Sequence, residues 1–414
     1  MKKNILPHRG TPQLVLVMVT IACFVSCNKK LPEATPIVYP PINNSSVTIG
    51  AGISSDTSYS FFLEAVKRTG MLPALSDSTK LFTVFLPNNN AFRVSGIPSA
   101  AVIDALPLAS VGALVEYHII PGEQFLANGI ATTFPNVQLP TSVTIGALPG
   151  TPLPLQLSTF PSVRATGFWD NNIPVISPDI KFQNGVIQLV AAIVNPPSEL
   201  LKQALYNNPN LTYFKAAIAR ADSGQSGLNK LDSLLGYAVT NMTVLAPSDA
   251  AFQTLIFGLA FQAYLNAVPL PHTATDTAHA VATANGAVAA GPIFLATNNV
   301  TTAQVSGIMA YHFLATPNPV SGAFQPNIRA FSVNFSATPA FNTTLVNTVV
   351  GAHPGIRSQA TFTGPFVTNL QFTGLGTFPP GGAPFSGPPA TATSLDNHCV
   401  NGVYYIINQV LLPE

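Results

Sequence analysis

A chain of 414 residues, 47% hydrophobic and only 8% charged, is long enough for two ordinary domains that each bury a core. Its 17 basic and 16 acidic residues nearly cancel, so there is no field to hold a polyanion, and nucleic acid is not an expected partner. Past the N-terminus no apolar run reaches the ~18 residues that crossing a bilayer needs. The longest candidates, Val186–Val194 and Leu255–Val268, are short or interrupted, and are expected to form a core strand and a core helix.

The chain opens on Lys2, Lys3 and Arg9, continues with the apolar run Leu14–Val25, and reaches Ser26-Cys27. A basic start, an apolar stretch of about a dozen residues and a small residue before the cut is the layout of a secretory signal. Phe24-Val25-Ser26-Cys27 resembles a bacterial lipobox, with Phe24 where Leu is usual. The resemblance implies cleavage after a 1–26 signal peptide and acylation of Cys27, since only a thiol forms the diacylglyceryl thioether. Each buried CH₂ of such chains is worth ~0.8 kcal/mol, so several chains would hold the protein on a membrane. No Asp follows Cys27, so the expected location is the bacterial cell envelope, at the periplasmic or surface-exposed leaflet of the outer membrane. Two alternatives stay open: an ordinary cleaved signal with Cys27 incidental, or Cys23 as the anchor. Residues 27–57 carry Pro32, Pro36, Pro40 and Pro41 and are expected to be an extended tether. With Cys23 and Cys27 in the export segment, the body keeps only Cys399, so neither an internal disulfide nor a Cys-rich metal site is expected.

Beyond the tether an internal repeat organises the chain. The amphipathic stretch YSFFLEAVKRTG from Tyr59 is matched by LTYFKAAIARAD from Leu211, with Phe62, Ala65 and Val66 paired to Phe214, Ala217 and Ile218 at helical spacing. TVFLPNNNAF (Thr83–Phe92) is matched by TVLAPSDAAF (Thr243–Phe252), then Tyr117-His118 by Tyr311-His312. Each copy closes on NGV and an apolar strand, Asn184–Pro197 and Asn401–Glu414. Phe92 and Tyr117 are 25 positions apart, but Phe252 and Tyr311 are 59; His118 and Asn184 are 66 apart, but His312 and Asn401 are 89. Two insertions therefore enlarge the second copy, the first Ala/Thr/Val-rich (Pro269–Val305), the second ending in the Pro/Gly-rich run TFPPGGAPFSGPPATAT.

These ordered, duplicated blocks are similar to the fasciclin domain over nearly all of Ser58–Glu414, copy two departing at Leu245-Ala246, at Ser248-Asp249 and in its insertions. The resemblance implies a mixed α/β (α+β) fold of two fasciclin-like domains, 58–197 and 198–414. Each would be a twisted β-sandwich or wedge with helices packed at one end. Each copy carries its own helices and closing strand, so the two are expected to fold independently when cut near Pro196–Ser198.

Thr83–Pro87 reads as a strand with alternate residues in the core, followed by turn and N-cap residues Asn88 and Asn89 (Ser248 and Asp249 in copy two). Asn184-Gly185 and Asn401-Gly402 read as hairpin turns. Tyr117, His118, Tyr311 and His312 are candidate ligand contacts, weighed against a framework role in which each imidazole donates at one nitrogen and accepts at the other. Trp169, beside Asp170 and Asn171-Asn172, is a further candidate, for stacking on a sugar ring, weighed against core or rim packing. His398-Cys399 invites a nucleophile reading, but adjacency alone does not set an imidazole on a thiol. There is no G-x-S-x-G, H-E-x-x-H or phosphate-binding Gly-rich loop, and the carboxylates are scattered. The expectation is a non-enzymatic, lipid-anchored adhesion or ligand-binding protein with no cofactor and no metal, taking an extracellular protein or glycan. A glycan-capturing accessory of an outer-membrane uptake system, a structural spacer and a surface-polymer hydrolase are the rival readings. Specificity is expected in the Phe378–Thr393 loop, because loops vary on a rigid scaffold.

Overall fold

The computed structural model describes residues 45–296, 300–348, 350–376 and 384–414. Cys27 and residues 28–44 of the tether lie outside the described residues, as does 378–383 of the expected specificity loop.

Packing begins before Ser58, the expected start of the first domain. Thr48 caps helix α1 (Ile49–Ser55), whose Ile49 and Ile53 are fully buried. Helices α2 (Ser60–Arg68) and α3 (Leu72–Leu75) follow, α2 burying Phe61, Phe62, Ala65 and Val66 on one stripe. Strand β1 (Phe82–Pro87) ends at Pro87, and Asn88 accepts from Ala91 N at 2.9 Å to start α4 (Asn89–Val94). Then come α5 (Ala100–Ala105), α6 (Leu108–Tyr117) and β2 (Ile119–Pro121). The rest of the copy is β3 (Leu139–Ala147), β4 (Pro154–Thr159), β5 (Pro161–Arg164), β6 (Gly167–Asp170), β7 (Ile173–Phe182) and β8 (Gly185–Val190).

Copy two runs through α7 (Leu201–Asn207), α8 (Thr212–Ala221), α9 (Leu231–Gly236), β9 (Met242–Pro247), α10 (Asp249–Asn266), α11 (Ala274–Ala289) and α12 (Thr302–Tyr311). It continues with β10 (Thr316–Pro317), β11 (Phe324–Gln325), β12 (Ala340–Asn342), β13 (Ile356–Thr363), β14 (Phe366–Thr373), β15 (Ala390–Cys399) and β16 (Gly402–Ile407).

The two main sheets repeat one strand plan. The first is ordered β2-β1-β8-β7-β6-β5 and the second β12-β13-β14-β15-β16-β9. The closing strand lies parallel to the T-V strand in both, Phe82 opposite Gly185 and Met242 opposite Gly402. All six residues of β1 and of β9 are buried, where alternation was expected. The reason is a second covering layer. In copy one the helices pack Phe62, Phe92 and Ile187 on one face, while the β3–β4 hairpin brings Leu139 and Leu157 against Phe85 and Val190 on the other. A strand covered on both sides reads as a continuous apolar run.

The expected core strand Val186–Val194 is a strand only as far as Val190. The segment Leu255–Val268 is helical to Asn266, but the buried residues of α10 (Ala251, Phe252, Ile256, Gly258) all lie in its first half. Its later turns leave the core and pack on α11 of the first insertion, with Tyr264 edge-on to His279. Of the expected loop, Ala390–Thr393 already belongs to β15, Ala390 being fully buried opposite Phe372.

Candidate functional site

The shared motifs build a framework. His118 and His312 each sit at a helix end, Nδ1 2.7 Å from the carbonyl of Leu114 or Ile308 one turn back. A carbonyl has no proton to give, so Nδ1 carries it. Nε2 is left to accept from Val194 N and from Leu411 N, each at 3.0 Å. Both rings are fully buried, and burial pushes them down to about 4, so they are neutral. Each thereby ties a helix to the chain just past the closing strand. Tyr117 donates to Ser158 O at 3.0 Å and Tyr311 to Gly355 O at 2.6 Å, again with no exposed surface. The four candidate ligand contacts of the Tyr-His pairs are thus interior. A ligand could reach them only by opening the core.

The N-G pairs lie at hairpin turns as expected, β7–β8 and β15–β16, but the two turn residues are Gln183-Asn184 and Val400-Asn401, each glycine already pairing in its strand, and the Asn does more than turn. Asn184, fully buried, accepts from Ile49 N and donates to Leu75 O and Asp77 O; Asn401 accepts from Leu201 N and donates to Leu235 O and Tyr237 O. A Cβ at Gly185 would stand 2.0 Å from Phe82 O, so only glycine admits the parallel strand.

Trp169 is a correction to the sugar-stacking reading. It lies on β6 with no exposed surface, and its indole donates to Pro365 O of copy two at 2.9 Å. Together with Phe160 it packs into the apolar cluster of Phe331, Phe372 and Tyr405, so one core crosses the boundary between the copies. Polar contacts surround it. Asn334 Nδ2 donates to Ser162 Oγ at 2.8 Å, and Asn172 Nδ2 to Asp396 at 3.2 Å. The Arg329 guanidinium stacks 4.4 Å from the Phe160 ring centroid while donating to Asn241, to His398 Nε2 and to the carbonyls of Cys399 and Val400. This shared core opposes the expectation that the copies fold independently.

His398 and Cys399 do not form a dyad. The imidazole is committed to Arg329 and held well below its ordinary value by burial and by that cation, while burial pushes the thiol up to about 12. Asp170 is buried too, and Asp396 half-buried. Burial raises both carboxyls, Asp170 to about 7, against hydrogen bonds from Thr159 and from Asn171 N. Sequence reasoning missed Asp396. It sits in a bulge of β15 at φ +53°, accepts from Ser332 and Tyr405, and is matched in β7 by Asp179 at φ +59° with Gln188. The signal available was an Asp nine positions before Gln188 in one copy and nine before Tyr405 in the other. Among the described residues no group of three or more His, Cys, Asp or Glu is placed to hold a metal.

Two outward depressions lie on copy two, lined in part by its enlarged region. A cleft of about 240 Å³ lies between the start of α10 (Thr254, Leu255), Gly374 and the closing segment Asn408–Leu412. Beside it, sharing Thr373 and Gly387, a groove of about 200 Å³ runs over β13 and β14.

A duplicated helix–sheet unit, its closing strand parallel to its T-V strand and its Tyr-His pair buried as a brace, defines a scaffold for recognition by its surface. The fasciclin domain family model matches residues 57–196. Protein sll1483 of Synechocystis sp. is 30% identical over 168 residues, 40% of this chain and 82% of that protein. The chain belongs to the fasciclin domain family. The structure of a FAS1 domain pair from the insect cell adhesion molecule Fasciclin I covers 86% of this chain and 98% of that one, at 13% identity and a TM-score of 0.32. The superposition is loose, and the assignment rests on the sequence matches. Membership carries a general adhesion or ligand-binding role.

Proposed function

We propose that this chain is a non-enzymatic adhesion or ligand-binding protein of a bacterial cell envelope, held on the outer membrane through acylated Cys27 and presenting copy two to an extracellular protein or glycan. The observation that carries the binding reading is a division of labour. Residues shared by the copies, His118 and His312, Tyr117 and Tyr311, Asn184 and Asn401, are fully buried, while segments of the second insertion (Arg357, Gln359, Thr373 and Gly387 among them) line two outward clefts, one of them together with the start of α10 and the closing segment. Loops on a rigid scaffold carry specificity. A neutral His398, a thiol pushed up to about 12 and carboxylates tied into the interface support a non-catalytic role. The anchor is supported by the Phe24–Cys27 lipobox after its apolar run.

The test is an array of glycans and matrix proteins probed with residues 28–414. Binding to a defined class is expected; a blank array alongside turnover of an offered polymer would reverse the reading. The anchor is tested separately. Cys27→Ser is expected to leave unprocessed precursor or to release the protein from the lipid phase, and intact-mass analysis showing an unmodified N-terminus further along the chain would reject acylation.

A further inference from the structure

The groove over β13 and β14 is built by strand register. Arg357 stands opposite Thr373 and Gln359 opposite Gln371, while β12 sets Phe341 opposite Arg357. Alternation along β13 buries Ile356, Ser358 and Ala360 and turns Arg357 and Gln359 outward. One face therefore carries a rank of Phe341, Arg357 and Thr373 across three strands, with Gln359 and Gln371 in the next rank. Phe385 reaches over this face, edge-on to Phe341 at 5.2 Å and with the Arg357 guanidinium 5.6 Å from its centroid. It does so at φ +58°, a conformation unfavourable for an aromatic residue, so local packing holds the ring there.

Arg357 is unsatisfied. Its Nε is buried without a hydrogen-bond partner, and among the described residues no carboxylate lies in ion-pair contact with it. A planar guanidinium with free donors matches a carboxylate in bidentate fashion. Gln359, whose Nε2 donates to Ala337 O at 3.1 Å, keeps its Oε1 as an acceptor, and with the Gln371 amide and the Thr373 hydroxyl it sets donors and acceptors at strand spacing, which suits a ring bearing several hydroxyls. Phe341, 59% exposed, offers an apolar face beside them. The groove is open and polar, without a deep apolar pocket for a peptide side chain.

We infer that this face binds an acidic saccharide, a polymer of uronate units whose carboxylate pairs with Arg357 and whose hydroxyls engage Gln359, Gln371 and Thr373. The inference rests on the ligand-binding reading above and names its ligand class. The test uses the full chain in mild detergent, titrated with oligomers of galacturonate, glucuronate and mannuronate, with their carboxyl-reduced counterparts, and with poly-glutamate. At least one oligouronate is expected to bind, with its reduced counterpart weaker by roughly tenfold or more, the scale of a lost charge-assisted pair. Arg357→Gln is expected to weaken binding similarly. Gln359→Glu, at an exposed position where folding is not at risk, sets a like charge beside the carboxylate and should weaken it too. No oligouronate bound, binding indifferent to both variants, or poly-glutamate bound as tightly as the saccharide would each overturn the assignment. A chain that binds no uronate yet captures another class on the array would sink this inference alone; a blank array as well would sink the broader reading with it.

Discussion

The hairpins β5–β6 and β13–β14 occupy the same place in their sheets, three and four strands from the T-V strand, yet they serve different ends. In copy one the strands are four residues each, and the hairpin is committed to the interface through Trp169. In copy two they are eight residues each. The tip, at Pro365, takes the Trp169 hydrogen bond and one face joins the shared apolar cluster through Phe372, while the other face, bearing Arg357 and Gln359, is turned to the groove. The contrast teaches where a duplicated domain is free to change. Near the T-V strand Asn184 and Asn401, His118 and His312 are buried and paired with backbone groups, so a change at any of them strands a partner. At the far edge of the sheet one copy can be joined to its neighbour while the other lengthens.

The strongest way to break this comparison is to sever the copies. If the interface were incidental, cutting after Pro197 would leave two cooperatively folding fragments. The shared cluster predicts otherwise: residues 198–414 alone lose Phe160 and Trp169 from their core and expose Phe331, Phe372 and Tyr405. That fragment is expected to melt broadly or aggregate, as read by calorimetry and near-UV dichroism. A sharp transition in each isolated fragment would show that the interface contributes little. Next in size is Trp169→Ala, expected to cost about 3–5 kcal/mol, the range for a large aromatic removed from a core. Phe366→Ala on β14, 55% exposed in the wild type, should cost under about 1 kcal/mol. Denaturant melts of the two variants give the comparison directly, and equal losses would refute it.

Much of the framework was legible because it is local and duplicated. The helix faces, the N-cap residues Asn88 and Ser248 and the N-G turns each follow from short-range chemistry, and seeing each twice removed ambiguity. The donor-and-acceptor role of the imidazoles was legible as one of two readings, since their partners, Val194 and Leu411, come from far along the chain. Less legible was anything set by a third layer or by the other copy. Burial of β1 on both faces depends on the β3–β4 hairpin, and the fate of Trp169 depends on Pro365, 196 residues away. An aromatic beside Asp and Asn carries no mark that says whether a second domain covers it. Arg357 went unnoticed for a related reason: it matters through its cross-strand neighbours, and register cannot be read from one strand.

A smaller effect separates the braces from the interface by pH. His118 and His312 titrate near 6.5 when unfolded and at about 4 when folded, so the neutral rings contribute fully above 6.5, and that contribution is lost as pH falls through about 4. His312→Gln is expected to cost about 1–3 kcal/mol near neutral pH, and its deficit relative to wild type should shrink as pH drops from 6.5 towards 4. Asp170, raised to about 7 at the interface, works in the opposite sense: its contribution is full below 3.8 and lost as pH rises through about 7. Asp170→Asn should therefore gain on wild type as pH climbs from 5 to 8. Melts of both variants across that range test the signs. A His312→Gln deficit that does not vary with pH would mean that the ring is not a buried neutral brace.

The least effect on stability is expected from Phe385, and it sharpens the comparison most. Trp169 and Phe385 are both large rings set against a hairpin, but Trp169 is sealed between the copies, whereas Phe385 is half-buried over an open groove. Replacing Phe385 by glycine removes its edge-on contact with Phe341 and its cation–π contact with Arg357, each worth about 0.5–1.5 kcal/mol. The same change relieves the left-handed φ of +58°, which glycine adopts freely, so the two effects oppose each other. Phe385→Gly should leave the melting transition within about 1 kcal/mol of wild type. Ligand capture should nevertheless fall, because the roof over Arg357 is gone and water reaches the guanidinium. If instead Phe385→Gly unfolds copy two, the ring is part of the core, and the groove is a packing edge rather than a recognition surface.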